Sequence, residues 1–373
     1  MKSKRLAFTV LITACLFVST AVKVIADESP VRSAEEILAG QETNPSREAI
    51  RELFVNGSSR DERHAPVAAG CKQALINLGM LAIPPLLEDY LPSDDLLFSI
   101  ALDQIVSSAG HPATEYLIPW LQSADSYTRR HAASLIGAVS EASKLEDPTA
   151  LGPLDGDLTA ITALKDALSI ESDWHVIRSL LEALGAMRDS ELVEVIAGYL
   201  SNEEQAVRLS AAAALGRIPD RHAATVIMTA FADEEMTVRE TAVLALSTPV
   251  MGNIAFDDLM RKVSDSGSGS AERLCALEGT YRFLESNASD PSVGFVRQRV
   301  LAFRRAADVA GNETGPEGWI LRGYAVAVIG VTWEPSAPEF LENMRTTENH
   351  PFVLQKIEEA LSRLAEGQPL PAE

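Results

Sequence analysis

The chain has 373 residues, 46% of them hydrophobic and 23% charged, and 53 acids against 32 lysines and arginines give a formal net charge of −21. A field of that sign repels phosphate backbones and anionic lipid, which argues against nucleic acid as a ligand and leaves basic proteins, cations and neutral surfaces as partners. Three cysteines are too few for a disulfide framework, so packing must hold the fold.

Residues 1–26 read as a secretory signal. MKSKR is a basic start, Leu6 to Thr20 carries no charge, and Val24-Ile25-Ala26 ends on a small residue, which places cleavage between Ala26 and Asp27. Two other readings apply to this segment. Ile12-Thr13-Ala14-Cys15 resembles a bacterial lipobox with Cys15 as the lipidated residue, although the residues after it stay apolar, and an uncleaved anchor of about 17 apolar residues reaches the lower limit of a span. The mature chain has no further segment able to cross a bilayer. The expected location is periplasmic or secreted, with a lipoprotein or signal-anchored form as the alternative. Residues 27–65 are expected to form an N-terminal helical cap.

From about residue 66 the sequence repeats itself. AVRLSAAAALG, ending at Gly216, has counterparts ending at Gly137, Gly185, Ser247, Tyr281, Gly330 and Ser362, with fainter copies ending at Gly79 and Ser107. Successive intervals of 48, 31, 31, 34, 49 and 32 residues give a period of about 31 lengthened twice. Counting back from the last residue of each copy, positions nine, five and one before it are mostly apolar and share one helical face. Eight before it stand Arg129, Arg208, Arg239, Arg273 and Arg322, with Ile177 and Leu354 in the other two copies. Twelve before it stand Asp125, Asp173, Glu204 and Glu235, suited to a helix start. The recurrence of arginine with acid predicts a ladder between neighbouring units, structural in preference to partner-facing. Glycine at the last position suits a helix end, where a left-handed residue is favoured.

After most copies a second amphipathic segment follows, for example AIPPLLEDYL and SELVEVIAGYLS, so the unit is helix, turn, helix. A lone unit buries too little apolar surface to offset the ordering of about 31 backbones, and each therefore needs its neighbours. The two long intervals predict insertion loops at 141–158, which holds Pro148 and Pro153, and at 311–318; 365–373 is a tail. Asp155-Gly156-Asp157 offers oxygens to calcium, but the regularly spaced carboxylates of a calcium loop are absent and a solvated turn is expected. SDSGSGS, residues 264–270, is read as a turn.

The order V-R-x-x-A-x-x-A-L-G with an acid three before the valine resembles HEAT repeats, in particular the HEAT-like repeats of phycobilisome lyases, across roughly residues 66–364. The resemblance implies an all-α, right-handed α-solenoid of about nine two-helix repeats, whose second helices line a concave face and whose usual role is to hold other macromolecules. Fold alone does not assign function.

The sequence offers no catalytic constellation. Six histidines lack metal-ligand spacing, the nucleophile and glycine-loop motifs are missing, and Cys71 and Cys275, several units apart, are expected as separate buried thiols. The four tryptophans are expected to pack between units. No cofactor and no metal is expected. The expected function is a non-enzymatic, exported scaffold or adaptor for a protein partner; the alternative is an accessory protein, lyase-like or chaperone-like, that holds a small ligand or cofactor for a partner.

Overall fold

In a computed structural model the described residues are 31–367 apart from 42, 147–151 and 155, and all their regular structure is helical, with no strand among them. Residues 1–26, read above as a secretory signal with cleavage expected between Ala26 and Asp27, Cys15 within them, Asp155 and residues 368–373 of the tail lie outside the described residues. No described helix is by itself long and apolar enough to cross a membrane. Contacts divide the chain into two units, one ending at Ala109 and one starting at Gly110.

The first unit holds α1 (Ala34–Leu38), α2 (Arg47–Ser58), α3 (Ala65–Leu78), α4 (Ile83–Tyr90) and α5 (Leu96–Ala109). Ser33 and Glu36 form a capping box that starts α1, and the Ser46 hydroxyl caps α2. Its core gathers Leu53, Leu75, Leu86 and Leu102, and the Phe54 ring lies 4.2 Å from that of Tyr90. Arg47 and Arg51 both pair with Asp89 across α2 and α4.

The second unit alternates first and second helices: α6 (Thr114–Leu117), α7 (Ser126–Glu146), α8 (Asp157–Ile170), α9 (Trp174–Met187), α10 (Val193–Ala197), α11 (Gln205–Leu215), α12 (Arg221–Ile227), α13 (Met236–Leu246), α14 (Pro249–Ser264), α15 (Ser270–Ser286), α16 (Val293–Asn312), α17 (Gly318–Gly330), α18 (Ala337–Thr347) and α19 (Pro351–Glu366). The odd-numbered helices from α7 onward are the repeating segments found in the sequence, and each packs on the next odd one, giving a solenoid. The column five before the repeat end, Ala132, Leu180, Ala211, Ala242, Ala276, Ala325 and Ile357, is completely buried throughout. Second helices α6 and α12 tighten into 3-10 turns at Ile118–Gln122 and Met228–Ala232; in the first, Pro119 lacks the donor an α-helix would use.

Two insertion loops are shorter than the sequence suggests. Residues 141–146 continue α7, and Asp157 is the buried first residue of α8, so the expected loop gives up residues at both ends to helices. Gly311 and Asn312 end α16 and Gly318 begins α17, leaving only 313–317 as the second.

The repeat-end glycines do a different job from the one expected. Gly137, Gly185, Gly216 and Gly330 do not have positive φ; α9 does end on a left-handed residue, but it is Arg188. Of the repeat-end glycines only Gly79, in the first unit, has positive φ, at 51°. The others are needed for closeness. A Cβ on Gly185 would lie 2.7 Å from the Cα of Ala214, and one on Gly216 would lie 2.5 Å from the Cβ of Ala245. In both cases the neighbour stands two before the end of the following repeat. Gly137 meets Ala183, and Gly330 meets Ala360, in the same way. Where the end residue is Ser247, the facing residue is Gly279, so the sum of the two side chains stays small.

Candidate functional site

The arginine column joins successive repeats through one recurring geometry. Arg129 directs Nε and Nη2 to the two carboxylate oxygens of Glu171 at 2.7 and 3.1 Å, while Nη1 donates to the carbonyls of Ser123 and Ala124, just before its own helix. Arg208 does the same with Asp233, at 2.8 and 3.1 Å, and with the carbonyls of Asn202 and Glu203. Arg322 pairs with Glu348 and donates to the Glu313 carbonyl. Arg273 reaches Glu313 and the Val263 carbonyl, and Arg239 donates to the carbonyls of Asp233 and Glu234. One guanidinium thus caps the turn before its helix and, in four of the five cases, holds a neighbouring acid.

The paired acids are not those expected. Asp125, Asp173, Glu204 and Glu235 stand at helix starts: Asp125 accepts from the Thr128 N–H and Asp173 from the His175 N–H, while Glu204 and Glu235 make no capping bond. Glu171, Asp233 and Glu348 stand two residues earlier in their repeats. From there each also accepts the N–H two residues on, those of Asp173, Glu235 and His350. Asn202 and Ser123 hold the same place and the same backbone bond without a charge. Asn202 belongs to the repeat after the one in which isoleucine, Ile177, replaces arginine, but the matching is not uniform: Gly267 holds this place after Arg239, and Glu313, the partner of Arg273, stands outside the column. This column was legible in principle as a recurring short polar or acidic residue two before the helix-start acid.

Arg208→Ala is expected to cost about 1–3 kcal/mol, because it strips two carbonyls and leaves Asp233, 8% exposed, without its cation. A chemical denaturation midpoint equal to that of the parent would contradict the ladder. Burial pushes the Asp233 carboxyl up, but the Arg208 guanidinium and the Glu235 N–H outweigh it and hold it below the ordinary range; the same balance lowers Glu171 and Glu348. A carboxyl lowered by folding stabilises fully above its unfolded pKa of about 4 and loses that contribution as pH falls through the lower folded value. Melting temperature is therefore expected to drop below about pH 4, and Asp233→Asn should show a shallower drop than the parent when both are followed by circular dichroism. Equal slopes would remove Asp233 from the acid response.

A second polar group lies fully inside the second unit. Lys144 of α7 donates to Ser140 Oγ at 2.7 Å, Asp157 Oδ2 at 2.8 Å and the Ala186 carbonyl at 3.0 Å, which uses all three of its protons. Asp157 Oδ2 also accepts from the Leu154 N–H, and His111 Nδ1 stands 3.7 Å from Asp157 Oδ1. Gly156 passes directly beneath the His111 ring, where a Cβ would come within 2.5 Å. The Lys144 side chain is completely buried, and the group ties α7 to the start of α8 and to α9.

The feature shaped for a ligand is a groove on the first-helix side of α13, α15, α17 and α19. Two adjoining hollows of about 700 and 480 Å³ share Glu278 and Tyr324. The larger is lined by Tyr281, Tyr324 and Phe352; the smaller by Met236, Leu244 and Ile320 with Arg239 and Arg282. Arg363 lies 5.6 Å over the Tyr281 ring and also bonds Glu285, and Lys356 lies 5.9 Å over Phe352. The groove occurs where Tyr281 takes the place that glycine or serine fills in the other repeats. The ring forms part of the lining of the larger hollow. Cys275 also lines it and is half-buried, not fully buried like Cys71; burial pushes its thiol up to about 11, so it is not a thiolate near neutral pH. The expectation that second helices form the binding face does not hold for this groove.

Trp319 stacks on His350 of the next repeat at 4.3 Å, an inter-repeat contact, whereas Trp174 stacks on its neighbour His175. Among the described residues no group of three or more His, Cys, Asp or Glu side chains is placed to hold a metal ion.

Comparison with known proteins gives the following. The family model described as HEAT repeats matches residues 159–247. No curated protein matches the chain in sequence. Among solved structures it is similar to the complex of CpcE and CpcF of phycocyanin lyase from Nostoc sp. PCC7120, at 19% identity over 68% of this chain and 92% of that one, with a TM-score of 0.35. It is similar to human deoxyhypusine hydroxylase in complex with glycerol, at 18% identity over 81% and 99% of the two chains, with a TM-score of 0.31. Yeast importin-β (Kap95p) is 12% identical over 89% of this chain and 51% of its own, with a TM-score of 0.41.

Proposed function

We propose that this HEAT-repeat protein is an exported, non-enzymatic scaffold that holds a protein partner in the groove formed by α13, α15, α17 and α19. The observation that carries the reading is the lining itself: three aromatic rings with two cations poised over them, flanked by the exposed apolar side chains of Met236 and Leu244. Tyrosine and arginine are the residues on which protein interfaces most often depend energetically, because they offer large contact area at low conformational cost. The ladder and the Lys144 group are consumed by internal bonds, so neither is offered for chemistry. Export rests on the basic, apolar and small-residue order of residues 1–26, and a mature chain whose mass begins at Asp27 would support it against a lipid or signal anchor.

The test places a photo-crosslinking amino acid at Tyr324 and, as a control, at Lys165 on α8. Adducts with a discrete protein are expected from position 324 and not from 165. Identical adducts from both positions, or none from 324, would end the reading. The volume of the larger hollow also suits a small molecule, which is the accessory-protein alternative. That reading expects a thermal shift of the purified protein with a low-molecular-weight extract, abolished in Tyr324→Ala.

A further inference from the structure

The groove is not the only surface built for contact. Among the described residues of the second unit, six arginines have no carboxylate within ion-pair distance, although the chain carries far more acid than base. Three of the six are otherwise engaged: Arg130 lies over the Tyr127 ring, Arg299 lies over the Phe295 ring and Arg239 caps two carbonyls. Arg299 and the remaining three, Arg297, Arg304 and Arg305, all stand on α16. The only acid in that helix is Asp308, one turn from Arg304, and its carboxylate accepts from the Asn312 amide instead.

We propose that α16 is a docking surface for a carboxylate-rich segment of a partner protein. Arg297, Arg304 and Arg305 are exposed. A spacing of seven residues puts Arg297 and Arg304 on one face, about 10 Å apart along the axis, with Arg305 beside them. That distance matches carboxylates about three residues apart on an extended segment. Arg299 points the opposite way and is buried; its Nε and Nη1 have no hydrogen-bond partner, and the Phe295 ring lies 5.7 Å from the guanidinium carbon. A cation held in low dielectric without a counter-charge adds its field to the exposed three, making this helix a positive strip on a negative molecule. The planar guanidinium fork suits carboxylates, and a strip of three exposed cations is too short to offset the repulsion between the rest of the chain and a long polyphosphate. This surface lies on a second helix, apart from the groove lined by first helices, and stands whether or not the groove binds.

The test uses fluorescence anisotropy of a fluorescein-labelled decapeptide with glutamate at every third position and serine between. The intact protein is expected to bind it saturably at low salt, with affinity falling as salt rises. R297Q/R304Q/R305Q should lose about tenfold or more in affinity while keeping the parent circular dichroism spectrum. Arg345→Gln, which removes an exposed arginine on the neighbouring α18, and Tyr324→Ala, in the groove, should leave peptide binding unchanged. No binding by the parent, undiminished binding by the triple variant, or tighter binding of a labelled single-stranded oligonucleotide of equal charge would each overturn the proposal.

Discussion

Lys144→Met should lower the unfolding free energy by about 3–5 kcal/mol, the largest single effect expected in this protein. The substitution keeps the length and apolar stem of the side chain, so little packing is lost. What remains is Asp157, 1% exposed, with its cation gone and Oδ2 retaining only the Leu154 N–H, together with a Ser140 hydroxyl and an Ala186 carbonyl that lose a donor. A buried carboxylate so deprived either stays charged at high cost or takes up a proton, and both weaken the fold. The informative control is Lys144→Met with Asp157→Leu. Removing both charges is often neutral or stabilising where removing one is not, so the double variant should recover much of the loss in a urea titration. If the single variant melted with the parent, or the double one fell as far as the single, Lys144 and Asp157 would not form the closed pair described here.

The second large effect concerns helix spacing. Gly216→Ala is expected to destabilise by about 1–3 kcal/mol, although alanine favours a helix over glycine by about 1 kcal/mol. The new methyl would sit 2.5 Å from the Ala245 Cβ, so α11 and α13 must separate or the layers must tilt. Ala245→Gly in the same chain removes the nearest obstruction and leaves the Ala245 Cα at 3.2 Å. The double variant should regain most of the stability, because it sets a small side chain at the repeat end against glycine, the same pairing that Ser247 and Gly279 already make. A double-mutant cycle with no coupling between 216 and 245 would refute the reading of glycine as a spacer. Gly185→Ala should show no such rescue with Ala214→Gly, since there the obstruction includes the Ala214 Cα at 2.7 Å and its carbonyl oxygen at 2.9 Å.

These cases also mark how far the sequence could be read. Ala211 and its equivalents were placed in the core correctly, because a side chain's face on a helix follows from spacing alone. The arginine column was found for the same reason. Its partner lies two residues before the expected one, since Asp233 and Glu235 are nearly equivalent in sequence and only the reach of the Arg208 guanidinium between layers decides which of them meets it. Pro148, Pro153 and the surrounding acids give the stretch that holds Lys144 and Asp157 the pattern of a solvated loop. The missed signal was that Val139, Ser140 and Lys144 continue the periodicity of α7 past Gly137. The groove had a signal as well, Tyr281 in a column of glycine and serine, but its meaning depends on what stands opposite.

The amino-acid order by itself determined that the chain forms paired helices in a series with a fixed period, because amphipathic spacing is a property of each segment taken alone. The tertiary structure alone decided which acid each arginine holds, why the repeat ends are small, and where a hollow opens. Those outcomes depend on distances between side chains in different layers, and such distances are set only when one helix comes to rest on another.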